Sequence, residues 1–451
     1  MPLALLLFLP LFGLVVPFLF EGGIGGNELV ATDTLTHLWN YVLKDYIAST
    51  LLLIFGVSVG VLVLGVGNAW IIASYHFPGK KIFEWALMLP LAIPTYVMAY
   101  LFVDLLQFSG PIQSGMRDLF GVSTLPYFPD PRSLAGAIWT FSFCLFPYVY
   151  LISRTAFLER SRRLIEVSET LGYSPMQGFI KLVLPMARPA IFAGLALALM
   201  EVLADFGAVS YFGVQTFATG IFKAWLSFGD RMAAIQLSLG LLGFVLVIFT
   251  IEQNSRASIR YAPSANQKTI PIRLRGKAAF FAFSFSGLTL LLGFLLPALA
   301  LVHLMIKEGF RLDGRYVSWL SNSLSVSLIT AFISVVLALF FAYSIRISPR
   351  LAWVNRLLGF GYALPGAVLA IGILALLETL GLAWWMSASV VVLVYAYMVR
   401  FLSSSLQSIE SGLLRITPSI DGSAELLGLT KFQILRRVHV PRLKRSLLTA
   451  G

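Results

Sequence analysis

Apolar and polar stretches alternate along this chain at a spacing set by the thickness of a bilayer. Ten apolar runs of about 20 residues, the length a helix needs to cross hydrocarbon, lie at 3–20, 47–74, 84–107, 134–157, 190–209, 232–252, 278–305, 322–345, 356–378 and 383–407. The pattern predicts an all-α, polytopic membrane protein. The first run lacks a basic leader and a small-residue cleavage site, so it reads as a retained helix rather than a signal peptide. Pro90 and Pro94 fall inside the third run and predict a kink there.

One polar island interrupts this pattern twice. Glu166–Pro185 reads EVSETLGYSPMQGFIKLVLP, and Gly422–Pro441 reads GSAELLGLTKFQILRRVHVP. Glu169 and Glu425, Leu171 and Leu427, Gly172 and Gly428, Gln177 and Gln433, and Pro185 and Pro441 are each 256 residues apart. Each copy predicts two short helices joined at the glycine, which is free to take the angles a helix stop requires. A capping box follows in each, Ser174-x-x-Gln177 and Thr430-x-x-Gln433.

The repeat sets the organisation. Residues 1–252 form a first half with a polar loop at 159–189, and 253–277 form a basic linker. Residues 278–451 form a second half with its loop at 409–445. Ala92-Ile93-Pro94 and Ala363-Leu364-Pro365 are a second matched pair, 271 residues apart. Basic residues cluster in alternate loops, among them Lys80 and Lys81, Arg160, Arg162 and Arg163, and Arg256 to Lys277. The positive-inside rule places these loops, and both polar islands, in the cytoplasm. Both halves then begin inside, which makes the repeats parallel rather than inverted. Carrying the first half's length onto the second predicts about 60 further residues, two more spans, beyond Gly451.

Composition narrows the chemistry. With 58% hydrophobic and 12% charged residues and a mean hydropathy of +0.86, the chain is too apolar for a soluble protein. The net charge of +12 is a positive-inside excess facing membrane lipid, not a nucleic-acid footprint. Cys144 is the single cysteine and sits within an apolar run, and His37, His76, His303 and His439 are scattered. No metal site, catalytic constellation or cofactor motif is legible, so the chain is not read as an enzyme. It also lacks a G-x-x-x-x-G-K-[ST] phosphate loop. A rigid, capped elbow at the same point of each half is what separate ATPase subunits would need as a handle to drive a pore.

Here the residues carry a resemblance. Glu166-Val-Ser-x-x-x-Gly172, continuing to Leu184-Pro185, resembles the EAA loop of permeases of ATP-binding-cassette importers. The second copy departs from it, with Gly422 where that family usually has Glu; Asp421 and Glu425 are the acids at hand to compensate. Two such loops on one chain resemble fused permeases. The stretch Met200–Trp225, with Phe228-Gly229-Asp230-Arg231, is similar to ferric-iron (Fe3+) importer permeases. The resemblance implies a type I importer permease fold in the bacterial inner membrane. It also implies a dimer of ATPase subunits contacting Glu166, Glu169, Gly172, Glu425 and Gly428, and an extracytoplasmic substrate-binding protein. Thiamine and phosphonate importers resemble this architecture too.

Glu201 and Asp205 are four apart and predicted to share one helix face. Intramembrane carboxylates usually face a cavity or a partner, so they are the candidate pathway residues for a cation; an outer, water-exposed helix end is the alternative. A twelve-helix secondary carrier would also use parallel halves, but would need no repeated elbow. A membrane enzyme or scaffold would need a buried catalytic cluster, and Glu201 and Asp205 alone do not form one.

Overall fold

Side chains of the spans are apolar all round, so backbone polar groups inside hydrocarbon find partners only within their own helix. The computed structural model is accordingly helical over most of its described apolar residues. It describes residues 7–20, 34–124, 128–257, 272–309, 313–348, 351, 353, 358–359, 361–382 and 389–451, with the backbone alone at 19–20, 159–169, 175, 255–257 and 272. Among these residues seven helices are long and apolar enough to cross a membrane, a bent helix pair forms an eighth candidate, and two apolar helices are shorter. The described residues of the ten apolar segments expected from the sequence are helical for most of their length.

In chain order the helices are α1 (Leu9–Phe20), α2 (Lys44–Ser74), α3 (Lys80–Ala86), α4 (Thr95–Leu106), α5 (Pro111–Phe120) and α6 (Leu134–Thr170). Then come α7 (Pro175–Gly178), α8 (Leu184–Ala204), α9 (Gly207–Tyr211), α10 (Phe217–Phe222) and α11 (Arg231–Ala257). The remainder are α12 (Gly276–Leu290), α13 (Leu296–Glu308), α14 (Gly314–Ile347), α15 (Gly366–Thr379), α16 (Val390–Leu413), α17 (Pro418–Leu426), α18 (Lys431–Ile434), α19 (Val440–Arg442) and α20 (Lys444–Ala450). Two two-residue strands, β1 (Tyr75–His76) and β2 (Ile272–Arg273), pair in parallel, Tyr75 opposite Ile272.

Several of the helix deformations sit at prolines. Pro185, Pro297 and Pro441 are each preceded by a π turn, at Phe179–Val183, Leu291–Leu295 and Leu435–His439. A proline ring clashes with the carbonyl four residues back and donates no hydrogen bond. The extra residue of a π turn shifts that carbonyl and lets the helix continue. The turns at 179–183 and 435–439 occupy matched positions of the two polar copies.

Where the backbone before a proline is extended, the helix breaks instead. Pro94 and Pro365 both sit at ψ 142°, after short 3-10 turns at Leu89–Ala92 and Gly361–Ala363. The third apolar run is therefore not one kinked span. Lys80–Ala92 and Thr95–Phe120 meet at 94°, because Ile93 is held extended, as a residue preceding proline prefers. Likewise the fifth run ends as a helix at Ala204, not 209, and Asp205 is extended.

The chain divides into two compact units that cut across its sequence order. One unit holds residues 36–230 and 243–310, the other 1–35, 231–242 and 311–451. In the first, α2 packs along α6, α8 lies against α6, and α12 meets α2 and α3. Small residues let α2 approach: a methyl added at Gly60 would meet Ser142 Oγ at 2.0 Å. The core there centres on Val57, Val61, Phe141, Phe146 and Tyr150. In the second unit α14 packs on α16 and α1 on α15, around Ala338, Leu369, Leu402, Leu406 and Ile409. The opening helix of each sequence half thus belongs to the unit built mainly from the other half.

The α1–α15 contact is backbone on backbone: a Cβ on Gly13 would stand 1.9 Å from the Gly372 carbonyl oxygen, and one on Gly372 2.1 Å from that of Pro10. Gly372→Ala should therefore destabilise the protein by about 1–3 kcal/mol, read as a lower thermal midpoint in detergent. Gly243→Ala, where nothing lies within 4 Å, should leave the midpoint unchanged.

Candidate functional site

The two polar copies fold into matched elbows, one in each unit. In the second, α17 opens with Pro418 at its first turn and closes in a Schellman pattern. Leu429 N–H donates to Ala424 O at 3.2 Å and Gly428 N–H to Glu425 O at 2.9 Å. Gly428 takes φ 77° and Gly172 φ 74°, and no atom lies within 4 Å of a Cβ at either. Glycine is required there by backbone angle alone.

Both capping boxes form. Thr430 N–H donates to Gln433 Oε1 at 2.9 Å and Gln433 N–H to Thr430 Oγ1 at 3.4 Å. The same bonds in the first elbow measure 3.1 Å and 3.4 Å between Ser174 and Gln177. The leading arms differ, however. The second is a separate short helix, whereas the first is the end of α6, unbroken to Thr170. Proline explains it: Pro418 stops α16 from running on, and the matched position in the first copy is Arg162.

The tips of the elbows are apolar and exposed, which a reading of charges alone misses. Leu171 and Leu427 are 58% and 81% exposed, and Met176 and Phe432 are 65% and 70% exposed. Each pair is matched by the repeat spacing, and that coincidence within a polar island was the available signal. Glu425 is exposed beside Leu426 and Leu427. Glu166 and Glu169 lie on helical backbone, with side chains outside the described residues. Asp421 turns inward onto Arg346, Oδ2 lying 2.7 Å from Nε. Of the two acids able to compensate for Gly422, only Glu425 stands on the open face.

The candidate pathway pair is separated by the end of α8. Glu201 is on the helix and half-buried; Asp205 follows it in extended backbone. Asp205 is a structural junction. Its Oδ2 accepts from Thr95 Oγ1 at 2.5 Å, and its Oδ1 accepts from the N–H groups of Ala208 and Val209 at 2.7 Å and 3.3 Å. It thereby ties the start of α4, just after the Pro94 break, to the N-terminus of α9. The next residue, Phe206, lines a cavity of about 190 Å³ together with Ser210, Gln215, Thr219 and Lys223. Lys223 Nζ reaches Gln215 Oε1 at 3.5 Å, and the rings of Phe206 and Phe222 stack at 3.9 Å. Polar and cationic groups thus gather in the segment that follows Glu201.

Fold and elbows together define a multi-pass membrane permease. Residues 65–261 match the family model of the binding-protein-dependent transport system inner membrane component, so this region is a permease domain of that kind and the chain is a transport subunit rather than an enzyme. The chain is similar to the Fe(3+)-transport system permease protein FbpB 2 of Haemophilus influenzae, 27% identical over 97% of this chain and 84% of that one. The sulfate transport system permease protein CysT of Escherichia coli is 28% identical over 45% of this chain and 73% of its own length. The molybdenum transport system permease protein ModB of Escherichia coli is 29% identical over 39% and 71%. A crystal structure of a bacterial ABC transporter involved in the import of the acidic polysaccharide alginate aligns at a TM-score of 0.42 and 18% identity, over 56% of this chain and 90% of that one.

The two glycines at the second elbow give a contrasting prediction. Gly428→Ala should cost about 1–2 kcal/mol, because an L residue is strained at that φ. Gly422→Ala, inside α17 with open space around it, should stabilise by about 0.5–1 kcal/mol. Thermal unfolding of the two variants side by side reads both signs.

Proposed function

We propose that this chain is the fused permease of an ATP-driven importer of ferric iron, both halves of the pore lying on one polypeptide. Residues 1–252 and 278–451 supply the halves and 253–277 the cytoplasmic linker. The observation that carries this reading is the pair of elbows. They share a left-handed glycine, a capping box, a π turn and an exposed apolar tip at one constant spacing. An apolar, rigid projection on a polar loop is a plug for a groove on another protein.

In this reading the chain lies in the bacterial inner membrane with both elbows in the cytoplasm. Each elbow seats in one subunit of an ATPase dimer. Leu171 with Met176, and Leu427 with Phe432, fill the grooves. Glu166, Glu169 and Glu425 meet basic groups around them, and Gly172 and Gly428 set the bend. A substrate-binding protein delivers the solute from the other side, and closure of the ATPase dimer moves the elbows as rigid bodies. Glu201 and the polar cavity after Asp205 border the solute pathway. Ferric iron is supported by the similarity to the iron permease along nearly the whole chain. The second reading is an oxyanion such as sulfate or molybdate. It is favoured by Lys223 in the cavity and by the shorter similarities to permeases for those solutes.

Reconstitution with the cognate ATPase and binding protein decides between them. Proteoliposomes should import Fe3+ in an ATP-dependent manner and neither sulfate nor molybdate; oxyanion uptake without iron uptake contradicts the first reading. Leu171→Glu with Leu427→Glu should lower association of the ATPase at least about a hundredfold, as loss of central apolar contacts does, with membrane insertion intact.

A further inference from the structure

The second elbow is tied to the spans through charged side chains. Arg346, near the end of α14, has a side chain only 16% exposed and engages three elements at once. Its Nε meets Asp421 Oδ2 of α17 at 2.7 Å. Its Nη1 donates to Leu413 O and its Nη2 to Ile416 O, at 2.8 Å and 2.9 Å, closing off the C-terminal end of α16. Leu413 O also accepts from Ile416 N–H at 3.0 Å, and a cation at this helix end meets the negative end of its dipole.

The other oxygen of Asp421 faces the second arm of the elbow. His439 Nε2, fully buried in the π turn, stands 2.8 Å from Asp421 Oδ1, close but without hydrogen-bond alignment. One turn before Arg346, Tyr343 donates from its hydroxyl to Lys431 O of α18 at 2.7 Å. Its ring lies 5.4 Å from that of His439. The end of α14 therefore holds both arms of the elbow and the end of α16.

The matched positions of the first half carry different residues. The repeat spacings match Asp421 to Ile165, His439 to Val183 and Arg346 to Tyr75. Among the described residues of the first elbow, Phe179 of its π turn packs at 4.5 Å on Trp70 of α2, which also meets Phe157 at 5.6 Å.

We propose that Arg346 and Asp421 form a latch, with His439 against it, that fixes the second elbow to α14 and α16 and makes Asp421 a positioning residue for coupling. Asp421 exchanges a place on the ATPase-facing surface for an internal one. Motion of the second elbow then passes to two spans through one guanidinium, while the first elbow transmits through an apolar seat. The coupling role rests on the permease reading above; the latch itself does not.

Two measurements on the full chain separate these. In detergent, Asp421→Asn should raise hydrogen exchange across 418–434 about tenfold, in the manner of a locally opened unit, and Asp421→Glu should restore it. Unchanged exchange overturns the latch, whether or not the chain imports anything. In proteoliposomes with ATPase and binding protein, Asp421→Asn should raise the ATP hydrolysed per solute imported about tenfold at an unchanged thermal midpoint. Hydrolysis and import falling together, in step with lost folded protein, overturns the positioning role. Should Asp421→Asn fail to accumulate, Arg346→Met with Asp421→Leu removes both charges and leaves none buried alone. The latch then expects the same faster exchange, and wild-type exchange overturns it.

Discussion

The constraint on which this structure depends is that a backbone in hydrocarbon satisfies its own polar groups. It makes the described apolar runs largely helical, and it makes some prolines points where the helix changes shape. Before Pro185, Pro297 and Pro441 the helix widens into a π turn and carries on. At Pro94 and Pro365 it breaks and restarts. The polar elbows obey the same constraint at the water interface, where caps and left-handed glycines close the helix ends that no longer have intrahelical partners. Junctions such as Asp205, which satisfies two N–H groups and a hydroxyl, do this work inside the fold.

From this follows a division of labour. Long helices pair closely where glycines admit it, as at Gly60 against α6 and Gly372 against α1, and form two units with stiff members. The elbows project from these units with exposed leucines at their tips. In the proposed reading, such projections are where a separate ATPase takes hold. The two elbows share a surface geometry; among the described residues, Phe179 packs on Trp70 at the first and Arg346 meets Asp421 at the second.

Much of this is legible in the sequence, and what is not fails for identifiable reasons. The spans, the repeat, the glycine hinges and both capping boxes follow from local pattern, since each depends on residues within one or two turns. The break at Pro94 differs from the kink expected because proline alone does not distinguish a widened helix from an interrupted one; the extended Ile93 before it does. The unbroken α6 depends on the lack of a proline at Arg162, visible only once Pro418 is seen to end α16. The inward turn of Asp421 depends on Arg346, 75 residues away, and no periodicity reports such a contact. The placement of α1 on α15 is hidden for a related reason: a helix apolar on all sides gives no face to predict from.

The central claim is that both elbows present the same docking surface on the cytoplasmic side. Cysteines introduced one at a time at Ser174 and Thr430 test it directly with a membrane-impermeant maleimide, since the native Cys144 is buried and silent. The account predicts that both react in inverted vesicles, that neither reacts in intact cells, and that the bound ATPase protects both. Labelling of either position from outside, or protection of one elbow without the other, would contradict it.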